Sequence, residues 1–197
     1  MTPTTRFIVL AVCGCACMNA AFILPVWDTW ARLIMVISLL GLLGLLASWG
    51  QPQRPAGAAQ IVLAAVTGVA IYGAAWVFAM IPAAGAKMVV LDRWTGGRSA
   101  ATIALTLPVA VIGEELFWRA TILRLGVARF GVTAGVLAAT SAYALAHVAS
   151  GTWLLPFAAF SAGVIWAGLL LATRNVVPPI VSHLVFDALL LIVAPLR

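Results

Sequence analysis

Val111-Ile-Gly-Glu-Glu-Leu-Phe-Trp-Arg-Ala-Thr-Ile-Leu-Arg124 is the stretch whose reading decides the fold. It holds both glutamates of the chain, side by side as Glu114 and Glu115, and places Arg119 four residues after the second. Apolar residues surround them on both sides. A charged side chain at membrane depth costs about 2.5–3.5 kcal/mol on insertion scales, so three together require a reason. That the surroundings are a membrane follows from the rest of the chain. Hydrophobic residues make up 64% of the 197 positions and charged residues only 8%, with a mean hydropathy of +1.15. A soluble domain carries about 25% charged residues. These figures predict an all-α, polytopic transmembrane helical bundle of about seven spans, with membrane lipid as its solvent and no stretch left over for a soluble domain.

Eleven basic residues give a net charge of +6. They sit mostly at the ends of apolar runs, as expected for loops near anionic lipid. They do not cluster with aromatics on one polar face, which argues against nucleic acid as a partner. Cys13, Cys15 and Cys17 share one apolar run, so they read as small packing residues rather than a disulfide framework or a metal site.

Apolar runs of about 20 residues mark the spans. They fall at roughly 7–26, 33–49, 61–81, 100–125, 132–148, 153–173 and 178–195. The first lacks a small-residue cleavage site and is read as a transmembrane helix rather than a signal peptide. The connection 50–55 is a loop with two prolines. The connection 82–99 carries Lys87, Asp92, Arg93 and Arg98, with Met88 to Leu91 placed along the membrane interface. Pro108 and Gly113 predict a bend ahead of the glutamates, and Gly126 to Gly131 a turn. With the N-terminus in the cytoplasm, six arginines face inward and five basic residues face outward, a small excess in favour of that orientation. Residues 1–99 carry no assignable motif. Residues 100–197 hold the chemistry, in the C-terminal four spans.

Helical spacing sorts the polar residues. Glu115 and Arg119 stand at i and i+4, where an ion pair forms on one helix face. Glu114 is turned about 100° away and is free to face something else. His183 and Asp187 repeat the spacing, so the carboxylate can fix or charge the imidazole. Tyr143 and His147 do so on the fifth span. One such residue alone reads as a structural brace. Together these groups on three helices read as a joint site, because each would be costly if unpaired. The set suits activation of water by a carboxylate and an imidazole, or ligation of zinc by Glu114, His147 and His183. It would also serve a proton-coupled transporter as a relay, although no inverted repeat is visible. Neither HExxH nor GxSxG occurs. Ser182 points to a different face from His183.

Three motifs in order, Glu114-Glu115-x-x-x-Arg119, Tyr143-x-x-x-His147 and His183-x-x-x-Asp187, resemble those of the CPBP family of intramembrane endopeptidases (CAAX protease, or Abi, and bacteriocin-processing proteins). The resemblance covers roughly residues 105–190. It implies an intramembrane protease that hydrolyses a peptide bond of a membrane-associated protein or C-terminal tail. Glu114 and His147 would activate water, and His183 and Asp187 would stabilise the oxyanion. Glu115 and Arg119 would support the site, with Tyr143 standing where phenylalanine is commoner. An anionic Asp187 cannot donate a hydrogen bond, which leaves it the alternative role of orienting His183. Both zinc-dependent and metal-free mechanisms are open, as is a non-catalytic immunity or binding role. A multi-pass location in a bacterial inner membrane is the expectation.

Overall fold

The structure is a computed structural model that describes residues 2–82, 84 and 94–196. The interfacial segment expected at Met88–Leu91, with Lys87, Asp92 and Arg93, lies outside the described residues. Among the described residues there are seven helices and no strand. They are α1 (Pro3–Ile23), α2 (Thr29–Ser48), α3 (Ala58–Ala79), α4 (Ala100–Phe130), α5 (Val132–Leu145), α6 (Leu154–Thr173) and α7 (Val177–Val193). Six are long and apolar enough to cross a membrane, the fifth counted as Val132–Ser150, and α7 is a shorter apolar helix of the same kind. The expected all-helical bundle is therefore observed, with six helices of spanning length and a seventh that is shorter.

Several helix starts are written locally. Thr2, Asp28 and Ser99 cap α1, α2 and α4 by accepting hydrogen bonds from Thr5, Ala31 and Thr102 backbone N–H groups, which satisfies donors that have no partner inside the helix. Prolines at the start of α1 and α7 lie where a missing N–H is harmless.

The central helix departs from the sequence reading in three ways. First, α-helical geometry runs through Pro108 to Glu114, and the irregularity comes afterwards, as a π-helix over Glu115–Leu123. Second, Gly113 is a packing residue: a Cβ there would lie 2.7 Å from the Ile37 carbonyl oxygen of α2. Third, Gly126 does not begin a turn. The helix continues to Phe130 and turns only at Gly131, with φ +80°, while Gly126 packs against the backbone of Gly135 on α5. The two glycines look alike in sequence but serve packing and turning respectively.

Glycines on α2 seat the π-helix. A Cβ at Gly44 would stand 2.6 Å from the Leu116 carbonyl carbon and oxygen. Thr121 Oγ1 then donates to both Gly44 O, at 3.1 Å, and Leu116 O, at 3.2 Å, so backbone groups at the irregular turn keep partners in a medium without water. Phe117, Trp118, Ile122 and Leu123 fill the space between α1, α2, α5 and α6.

Candidate active site

Glu114 and Glu115 leave the same helix in different directions, one at the last α-helical position and one at the first of the π-helix. Glu115 is wholly buried. Its Oε1 receives His183 Nδ1 at 2.9 Å and Arg119 Nη1 at 3.3 Å. Arg119, only 3% exposed, also lies between two rings, with its guanidinium carbon 4.1 Å from the Tyr143 centroid and 5.0 Å from that of Trp166. The ring faces supply electron density that water would otherwise supply. The Glu115–Arg119 pair expected from spacing is present, and the carboxylate carries a second partner that spacing did not reveal.

His183 is held on three sides. Trp166 stacks on it, with centroids 3.8 Å apart and planes at 22°, and Trp166 Nε1 donates to Ser182 Oγ at 3.2 Å. Asp187 Oδ2 lies 3.4 Å from Nε2, longer than a normal hydrogen bond. Ser182, on a different face from His183 as expected, thus fixes the tryptophan that covers the histidine. Trp166 was not singled out in the sequence, and Ser182 was noted there only for facing away from His183.

Tyr143 and His147 come from the end of α5. His147 sits just past the last helical residue, Leu145, in a turn leading into a 3-10 segment at Val148–Ser150. Its Nδ1 lies 2.7 Å from the Tyr143 carbonyl oxygen. A carbonyl only accepts, so Nδ1 carries the hydrogen and Nε2 is left for the cavity. The Tyr143 ring meets the imidazole edge to face, at 4.8 Å, and its hydroxyl donates to Glu114 Oε2. The hydroxyl that distinguishes Tyr143 from phenylalanine is thus spent on Glu114.

A residue of α1 fixes this turn. Asn19 Nδ2 donates to Leu145 O at 2.9 Å, and its Oδ1 accepts from Ala149 N at 2.8 Å. The first spans show no motif, yet a carboxamide inside an apolar helix was a readable hint, since such groups require partners in lipid.

Glu114, Tyr143, His147, His183 and Asp187 all line one cavity of about 450 Å³, whose remaining wall is mostly apolar. All four residues expected to be catalytic face this space, while Glu115 and Arg119 lie behind it. Among the described residues, no group of three histidine, cysteine or acidic side chains is arranged to hold a metal. In the trio Glu114, His147 and His183, the Nδ1 of His183 is held by Glu115 at 2.9 Å and its Nε2 lies 3.4 Å from Asp187. The trio therefore does not fit a three-ligand zinc site.

The match to known families falls on this region. Residues 96–189 match the Rce1-like family, type II CAAX prenyl endopeptidase. The resemblance read from the three motifs therefore holds. The Rce1-like segment runs from just before α4 into α7 and contains Glu114, Glu115, Arg119, Tyr143, His147, His183 and Asp187, while Asn19 lies outside it. The family so matched is one of CAAX-type endopeptidases, and the match covers just under half of the chain. No curated protein and no solved structure matches the chain.

Proposed function

We propose that the chain is an endopeptidase in which Glu114 and His147 activate a water molecule against the peptide bond of a membrane-anchored protein. The observation that carries this reading is the convergence of Glu114 and His147 on one cavity, with Tyr143 hydrogen-bonded to the first and packed on the second. Water between them loses its proton to the Glu114 carboxylate as its oxygen attacks the carbonyl carbon. The C–N bond then breaks, and the proton passes to the leaving amine, with His147 Nε2 as the group that shares it.

His183 is the donor we assign to the developing oxyanion. Its Nδ1–H is committed to Glu115, but the Nε2–Asp187 contact at 3.4 Å is slack. That N–H can turn to a new acceptor where charge develops, which is how a preorganised donor lowers a barrier. Asp187 then orients His183 and balances its charge. Glu115 and Arg119 hold the assembly from behind.

The segments 51–54 and 174–176 join at one end of the bundle, with Asn175 Nδ2 donating to Arg54 O at 2.5 Å and Arg124 Nη1 to Gln51 Oε1 at 2.6 Å. Arg6, Arg54, Arg124, Arg129 and Arg174 collect there, and we place this end, with the N-terminus, at the cytoplasmic face of a bacterial inner membrane. The test of function is cleavage of membrane-anchored peptides by purified protein, in comparison with Glu114→Ala and His147→Ala. Both substitutions are expected to abolish cleavage. Cleavage that survives both would refute the assignment.

A further inference from the structure

Among the described residues, the wall of the cavity at Glu114 has two regions of different chemistry. One is at the end of the bundle, where Trp94, Thr95 and Thr152 line it. Trp94 Nε1 donates to Ser150 O at 3.3 Å, and its ring meets Phe22 at 5.7 Å. The threonine hydroxyls make this end the wettable one.

The other place is the side wall between α3 and α6. Ala74 on α3 and Phe157, Ser161 and Ile165 on α6 line the cavity and are also accessible, Phe157 at 52% and Ile165 at 42%. Accessible residues in the lining mark this side of the cavity as open or thinly covered, which follows from how α3 packs. Its middle is pressed onto α7, since a Cβ at Gly68 would lie 2.4 Å from the Ser182 carbonyl oxygen, and Tyr72 Oη donates to Ala194 O at 2.6 Å.

Towards the wettable end, α3 is joined to α6 by rings. Phe78 stacks on Phe157 with centroids 5.5 Å apart and planes at 22°, and meets Trp153 edge to face at 6.1 Å. No hydrogen bond or ion pair links these two helices among the described residues. Ring pairs add only about 0.5–1.5 kcal/mol beyond their buried area, weak enough to part and reform. Below them the slit is edged by small side chains, Ala74, Ala158, Ser161 and Ala162, which leave room for a backbone.

We propose that the slit between α3 and α6, closed by Phe78 against Phe157, is the entrance through which an apolar, membrane-anchored peptide segment reaches Glu114 from the lipid. Water arrives separately, through the end lined by Thr95 and Thr152. The division suits hydrolysis of a substrate that never leaves the bilayer, and it makes Phe78 and Phe157 determinants of specificity rather than of chemistry. This inference rests on the protease reading above.

The test uses the full chain in lipid vesicles with two substrates of one cleavage sequence: a membrane-anchored peptide and a short soluble peptide without the anchor. Ser161→Trp, which fills the slit, is expected to lower kcat/KM for the anchored peptide about tenfold and to leave the soluble peptide within about twofold. Phe78→Ala is expected to raise the rate on the anchored peptide alone. An equal change on both substrates, or none on the anchored one, overturns the proposal. Cleavage of the soluble peptide by the unaltered protein reports on the protease reading by itself. A readout free of catalysis comes from a photo-crosslinker placed at position 161 or at Leu46, which is 67% exposed on α2. Capture of the anchored peptide at 161 and not at 46 supports the entrance, and equal capture at both overturns it.

Discussion

Replacement of Glu115 by glutamine separates bracing from chemistry. Glutamine keeps the volume and an acceptor oxygen for His183 Nδ1, but it removes the charge beside Arg119. That guanidinium is only 3% exposed and has Glu115 Oε1 at 3.3 Å as its charged partner, so the substitution strands a buried cation. Breaking a buried ion pair on one side costs about 3–5 kcal/mol. For a chain of this size each kcal/mol moves the midpoint by about 2–4 °C, which gives a fall on the order of 10 °C. Glu114→Gln is the matched control. Glu114 is half-buried at the cavity and bonded to the Tyr143 hydroxyl, and an amide oxygen can still accept that bond, so the cost should stay below about 1.5 kcal/mol. Thermal unfolding in detergent, followed by the fluorescence of the eight tryptophans, measures both. A Glu115→Gln midpoint equal to that of the parent, or to that of Glu114→Gln, would refute the division of labour between the two glutamates.

Three further outcomes are expected. Tyr143→Phe keeps the ring contacts with Arg119 and His147 and removes only the hydroxyl, so cleavage should fall by about tenfold or less, the equivalent of about 1.4 kcal/mol, with the unfolding midpoint unchanged. Gly44→Ala drives a methyl to 2.6 Å from the Leu116 backbone, and as an overpacked interface it should cost about 1–3 kcal/mol, visible as a lower unfolding midpoint. The Asp28 carboxyl is held down from its ordinary 3.8 to about 2, chiefly by the hydrogen bond from Arg98 and then by the Ala31 N–H. A lowered carboxyl stabilises above its unfolded value and loses that contribution as pH falls through about 2. Asp28 is well exposed, so Asp28→Asn should cost well under about 1 kcal/mol near neutral pH, and its unfolding curve should merge with that of the parent as pH approaches the folded value.

Much of the bundle was legible because in lipid the length of an apolar run translates almost directly into a helix. The division between Glu114 and Glu115 was legible for a similar reason: on any helix, neighbouring residues point apart. The bond from His183 to Glu115 was not, because it joins residues on α4 and α7, and side-chain spacing within one helix carries no information across the bundle. The π-helix at Glu115–Leu123 was also hidden. An i,i+4 pair looks the same in sequence whether the backbone closes at i+4 or i+5, and the shift is enforced from outside by the glycine face of α2. Gly126 and Gly131 show the same limit, since only the packed structure tells a glycine that admits a neighbour from one that needs a positive φ. Asn19 acts on His147 through the turn after α5, a contact 130 residues distant from Ala149.

The account stands or falls on whether Glu114 makes water attack a peptide bond. The direct measurement is mass spectrometry of the products formed from a membrane-anchored peptide in ¹⁸O-enriched water. The unaltered protein should yield a new C-terminal carboxyl carrying ¹⁸O, and Glu114→Gln, folded to the same midpoint within a few degrees, should yield no product. Labelled product from Glu114→Gln at the parental rate would contradict the account.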